Sequence, residues 1–475
     1  MKPKLAIFSK FCEDLLPIEI EYLQQNCNLE DNQLLGILEK VYSNKNTLKP
    51  TYAFDASIDK RKYSYLKNWI QENLEACDVD HALKVIQEFE WKVQSDSITQ
   101  EEEKSLVKMM SGYDNSHYQF LRFYGLMLHF RQYLQIRLRT KLMPLVNDWL
   151  DKYADNYAES SIVFQSLHQL TADIIDEYGL LTITDKITEQ KLLQITERED
   201  LDGLNRYAAA VRLWFYYMNK GAYAKMKTLL QKVETMMVKH KYLGRRLAVN
   251  YYANSLLLHS KTEELEKARF YGYLSLRYHT NDYLFYVINL SSVLLRMGEA
   301  QEAMLHMKAA FPAMRNTADN HNKIGFVAHY VHCLIDLGKL KEAGRFAENY
   351  LGSHLKEVMS TRWHLFFAAY FRSLVLLEKF PRLLYLVNRY KLRDKETQYS
   401  KKAHYLPTMS WYIALAEFME GSISEKVAIE KMKASAIILM NDPLRTNRIH
   451  QQLNQLYHQQ PQLIKKLKSE LNLNT

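Results

Sequence analysis

The sequence predicts an all-α fold built from repeated helical hairpins, and three observations carry that expectation. Glycine and proline are scarce, 14 and 9 in 475 residues, where ordinary usage runs at about 7% and about 5%. Leu, Lys, Glu, Ala and Gln are plentiful, so most of the chain can be helix and little of it need be turn. Strands would need more β-branched residues and more glycine-containing turns. Turn-like residues also recur at Gly179, Gly221, Ser260, Gly298, Gly338, Lys379 and Gly421, with spacings of 42, 39, 38, 40, 41 and 42. A period near 40 with helix on both sides of each turn signals stacked hairpins, and glycine suits such turns because it accepts the left-handed conformation that ends a helix. Apolar positions recur three and four apart, as in Phe120, Tyr124, Met127 and Phe130, which is the spacing of one helical face.

Two units show the repeat most fully. One runs from Leu290 through Ser291 and Gly298 to Ala303 and Ala310, and the next runs from Val331 through Gly338 to Ala343. Each has an apolar helix, a Gly, and an Ala five residues on. A methyl side chain at that crossing lets two helices approach closely, and a larger one would push them apart. These stretches resemble the tetratricopeptide repeat (TPR). Ala310 matches that family's second small position, and Ser291 the small residue of its first helix. The resemblance implies a right-handed superhelical solenoid of TPR-like hairpins. The chain departs from the family pattern in its longer period and in the missing closing Pro. Met226 stands where Ala is expected, and the unit holding Ala268 has Ser260 in place of the Gly. HEAT-type hairpins are the nearest rival.

In order along the chain, residues 1–43 read as three short helices and residues 44–58 as the longest loop. Residues 60–95 read as a hairpin turning at Cys77–Asp80 with Ala82 after it, and residues 114–178 as three long helices. From residue 203 the expected helix pairs are 203–220 with 222–239, 242–259 with 262–278, 281–296 with 299–313, 319–337 with 340–353, 357–378 with 381–393, and 402–419 with 423–438. A last pair, 444–458 with 461–470, is rich in Gln, Asn and Lys, which suits a capping unit with no neighbour on its outer face. Pro443 and Pro461 each stand where a helix begins. The domains expected are a short-helix segment over 1–58, an acidic helical region over 59–200, a TPR-like solenoid over 201–440 and capping helices over 441–475.

Charge is divided along the chain. Residues 1–200 carry 23 Lys and Arg against 32 Asp and Glu, and residues 201–475 carry 40 against 22, so −9 gives way to +18. Such an asymmetry points to an acidic or polyanionic partner for the second half, against the plainer reading of a solubilising surface or of one half docking on the other. No stretch reaches the roughly 18 apolar residues of a membrane span, and the first residues lack the apolar run and cleavage site of a secretory signal. Cys12, Cys27, Cys77 and Cys333 are too scattered for a disulfide framework. A cytoplasmic protein with no membrane partner is expected.

The motifs of phosphate loops, dinucleotide sites, zinc proteases and serine hydrolases are absent. No catalysis and no cofactor are therefore expected. His329, His332 and Cys333 stand at i, i+3 and i+4, a spacing that can hold a metal on one helical face with His306 or His321 completing the set. The plainer reading is a helix packing one face inward with a core Cys, and no metal is expected. Arg269, Tyr278, Tyr283, Phe285 and Tyr286 form a Tyr- and Arg-rich stretch read as gap-filling aromatics rather than a base-stacking site. Arg382, Arg389, Lys391, Arg393, Lys395, Lys401 and Lys402 read as a solvated face. Stacked hairpins present an extended concave surface, and the resemblance implies that first-helix side chains line it. The candidates for partner binding are Arg212, Tyr216, Asn250, Asn254, Asn289 and His329. The leading expectation is a non-catalytic scaffold for a protein or peptide. RNA binding by the basic half, or a sensor subunit of a bacterial regulatory assembly, are the alternatives.

Overall fold

A computed structural model describes residues 5–48, 50, 52–176, 186–239, 242–401, 405–437, 439–440 and 443–473. The protein is 77% helix, with 26 helices and no strand among the described residues. The chain divides into two compact units, at Tyr252/Ala253. Gly179 and Lys402, singled out in the sequence, lie outside the described residues.

The first unit opens with α1 (Ala6–Glu13), α2 (Pro17–Gln25) and α3 (Asn32–Ser43), then α4 (Lys60–Cys77), α5 (Val79–Gln94) and α6 (Gln100–Ser111). It continues with α7 (Phe120–Ile136), α8 (Met143–Asp176), α9 (Lys186–Glu197), α10 (Gly203–Lys220) and α11 (Tyr223–Lys239). Side-chain oxygens satisfy the first free amides of several helices: Asp31 accepts from Gln33 N at 2.8 Å, Asp78 from Asp80 N at 2.7 Å and Asp202 from Asn205 N at 2.9 Å. Residues 114–178 hold two long helices rather than three. With Pro144 in its first turn, α8 then meets no Gly or Pro through Asp176, so nothing interrupts its 34 residues. A core of Phe120, Phe123, Met127, Phe130, Trp149 and Leu150 joins α7 to α8.

The helix α12 (Arg245–Lys261) contains the division. The second unit continues with α13 (Leu265–Ser275), α14 (Tyr283–Arg296), α15 (Ala300–Ala309), α16 (Phe311–Asn316), α17 (Asn320–Asp336), α18 (Leu340–Ser353) and α19 (Leu355–Ser360). It ends with α20 (Trp363–Leu376), α21 (Phe380–Arg389), α22 (Leu392–Tyr399), α23 (Thr408–Met419), α24 (Glu425–Ile437), α25 (Pro443–Tyr457) and α26 (Pro461–Glu470). Paired helices stand over each span expected from 281 to 470, but the helix expected over 357–378 is broken into α19 and α20, the one over 299–313 into α15 and α16, and α22 follows α21. First helices pack on first helices, α14 on α17, α17 on α20 and α20 on α23, and each also packs on its own hairpin partner. Ala268, Ala303 and Ala343 are fully buried at these crossings, as are Ala310 and Ser291.

The turns follow one backbone rule. Gly221, Glu263, Gly298, Gly338, Glu378 and Gly421 all have positive φ, from 56° to 80°. In each case the next residue's amide donates to the carbonyl five residues before it, at 2.8–2.9 Å, closing the helix end. The turns expected at Ser260 and Lys379 are therefore centred on Glu263 and Glu378. Upstream, Asp96 and Leu138 hold the same conformation, with φ of 59° and 52°, after α5 and α7. The hairpin turn expected at Cys77–Asp80 is instead a single-residue junction: Asp78 ends α4 and caps α5 in extended conformation.

Candidate binding groove

The left-handed turn residue fixes which side of each first helix faces inward in the second unit. Counting back from it, positions 2, 6, 9 and 13 recur at spacings of four, three and four, which is one helical stripe. Lys261, Arg296 and Asp336 stand at the second position, and Leu257, Ser292, His332 and Arg372 at the sixth. Asn289, His329 and Tyr412 stand at the ninth, and Leu365 and Thr408 at the thirteenth. All twelve line one groove of about 710 Å3. Leu256, Ser260, Leu295, Ala368 and Leu406 line it too, and its facing wall comes from α25, through Arg448, Gln451, Gln452, Asn454 and Gln455.

The groove mixes apolar side chains, such as Leu257, Leu295 and Leu365, with cationic ones. Arg372 donates to Asp336 at 2.7 Å and to His332 Nδ1 at 3.2 Å. Arg296 donates to the Ser260 carbonyl and hydroxyl, both at 2.9 Å, and pairs with Glu263. Arg448 approaches the same Glu263 at 3.9 Å. Lys261, Arg296, Arg372 and Arg448 line the groove with Asp336, and Glu263 pairs with Arg296 beside it.

Deeper in, the wall offers neutral hydrogen-bonding groups. His329 Nδ1 lies 2.9 Å from the Gly325 carbonyl. A carbonyl only accepts, so Nδ1 carries the proton and Nε2 is an acceptor. Burial holds the His329 pKa down to about 4, and burial followed by the neighbouring Arg372 pushes His332 well below the ordinary imidazole value. Both imidazoles are neutral near pH 7. Because His332 accepts from Arg372 at Nδ1, its Nε2 carries the proton and donates. Asn289 Nδ2 is buried and has no hydrogen-bond partner among the described residues, a donor whose desolvation no described group offsets. Donors at Asn289 and His332 and an acceptor at His329 suit a ligand with both carbonyl and amide groups.

Of the six residues expected to bind a partner, the structure brings Asn289 and His329 together in this groove. Asn254 shares their ninth-position register but is outside the lining. Arg212 has that register in the other unit, where its guanidinium donates to the Leu167 carbonyl at 3.1 Å and the Thr171 hydroxyl at 2.5 Å. Tyr216 is buried there, and Asn250 accepts from Tyr207 at 3.2 Å. Cys333 points into the core with no exposed surface, away from the groove that His329 and His332 line. Among the described residues no three His, Cys, Asp or Glu gather as a metal site. In the Tyr-rich stretch, Tyr286 is buried and Arg269 pairs with Glu266 at 2.6 Å and Glu299 at 2.8 Å. In the basic group near α21 and α22, Arg382 pairs with Glu348 and Arg393 with Glu417. No described helix is long and apolar enough to cross a membrane. Compared with known proteins, the chain matches no family model, no curated protein and no solved structure.

Proposed function

We propose that the chain is a non-catalytic scaffold of TPR-like hairpins, arranged as a right-handed solenoid, that holds an acidic protein or peptide segment along the inner groove of its second unit. The observation that carries this reading is the stripe of groove-lining side chains at fixed distances from successive turns. It gives a ligand one row of contacts per hairpin, which is how stacked helical repeats read extended partners. The four cationic side chains that line the groove favour an acidic segment, and the unpaired Asn289 amide with the neutral His329 suits a peptide backbone. Cytoplasmic action is in keeping with four free cysteines.

The test is affinity purification of the full chain from native extract beside its Asn289→Ala and Arg372→Gln variants, with helix content checked by circular dichroism. A protein should be retained by the parent chain, survive nuclease treatment, and be lost from both variants. No reproducible protein, or one held equally by all three, removes the reading. The excess of cations over residues 201–475 favours RNA as the second reading. Recovery of RNA whose binding falls steeply with added salt would select it, because phosphate contacts release counterions.

A further inference from the structure

The helix α25 differs from the first helices before it in how it is held. Among the described residues its close backbone packing is with α26, its hairpin partner, while α26 packs on α24. The face that α25 turns to the first helices lines two open grooves in succession. One, of about 710 Å3, is lined by Arg448, Gln451 and Gln452 of α25. The next, of about 510 Å3, lies between the C-terminal part of α25 and the ends of α17 and α20. Asp336, Arg372, Tyr412, Asn454 and Gln455 line both, so the open space runs along the length of that face.

Its contacts there are sparse. Gln452 donates to the Thr408 hydroxyl, while its own Oε1 is buried with no hydrogen-bond partner among the described residues. Arg448 stays 3.9 Å from Glu263, beyond hydrogen-bond distance. Among the described residues only Ile449, Leu453 and Leu456 anchor the helix in the core. Interiors ordinarily fill the space beside a helix to high density. A helix whose inner face lines two grooves and carries an unpaired buried oxygen forgoes much of that packing on that face, and segments with few buried contacts open at low free-energy cost. Its polar face, Gln451, Gln452, Asn454 and Gln455, presents amides to the wall just where a peptide would.

Resting on the reading of the groove as a partner site, we propose that α25 is a displaceable internal occupant of that groove. It seats against Thr408, Tyr412 and Arg372 in the closed form and leaves so that an acidic segment can take its place. When it leaves, Lys261, Arg296 and Arg372 remain on the wall, and Glu263 gives up its contact to Arg448, so the wall keeps its cationic surplus.

The movement is tested on the full chain without any partner. In an Asn289→Cys variant, labelling of the introduced thiol by a bulky maleimide is followed by peptide mass mapping. In the same chain, hydrogen exchange of α25 is compared with that of α20 and α23. The introduced thiol should label slowly, Leu453→Asp should speed its labelling at least ten-fold with helix content retained elsewhere, and α25 should exchange at least ten-fold faster than α20 and α23. Exchange of α25 as slow as that of α23 overturns the proposal even if Leu453→Asp unfolds the chain. So does labelling that is fast from the start or indifferent to Leu453→Asp. A chain that shows the movement but captures no protein from extract would refute the partner reading and leave the movement standing.

Discussion

Glu263 and Glu378 occupy turns where the backbone is left-handed, with φ of 64° and 56°. A side chain there crowds its own carbonyl at a cost of roughly 1–2 kcal/mol, which glycine avoids. Glu378→Gly should therefore raise stability by about 1 kcal/mol in denaturant melts. Glu263→Gly should gain less, because Glu263 also pairs with Arg296. His329 sets a pH dependence. Its folded pKa of about 4 lies below the unfolded value of about 6.5, so the unfolded chain binds more protons between those values. The contribution is intact above pH 6.5 and is lost as pH falls toward 4. Going from pH 7 to pH 5 should cost about 2 kcal/mol through this residue, and melts of His329→Gln should show a shallower acid limb. Asn289 and His329, named because the resemblance implies that first-helix side chains line the concave face, both line the groove. Sequence alone missed Arg372 and Tyr412 as groove residues, because their facing depends on a turn at Glu378 and on the ninth-position register before Gly421, neither visible without the backbone.

Helices approach most closely where side chains vanish. A Cβ on Gly272 of α13 would stand 2.7 Å from Leu290 Cδ1 and 2.8 Å from Leu256 Cδ1. Both leucines are at most 1% exposed, so neither has room to yield. Gly272→Val should destabilise the second unit by about 2 kcal/mol, read as a lower denaturant midpoint. Gly352→Ala on α18, where nothing lies within 4 Å of the added methyl, should instead raise stability by about 0.5 kcal/mol. Ala303 and Ala343 were readable in advance because each stands five residues after a Gly, whereas the turn before Ala268 is at Glu263, not at Ser260. The turns at Asp96 and Leu138 were not readable, since neither residue carries the glycine signal that marks Gly221, Gly298, Gly338 and Gly421. The expected third helix within residues 114–178 failed for a related reason. A run without breakers extends one helix, and α8 takes about half of that stretch.

At the scale of the whole molecule, residues 253–475 of the second unit carry 30 Lys and Arg against 20 Asp and Glu, a net of +10, and the groove within that unit gives the charge a place to act. Composition told of helices and a period near 40. The groove's second wall was hidden, because α25 is far in sequence from the helices it faces and its Gln-rich composition reads equally well as a solvated cap. The scaffold account rests on where a partner lies. Photo-crosslinking amino acids placed at Asn289, Tyr412 and, on the outer face, at Leu305, which is 67% exposed, measure that directly in native extract. The account predicts that one acidic protein crosslinks from positions 289 and 412 and not from 305. The same adduct from position 305, or none from the two inner positions while the protein still co-purifies, would contradict it.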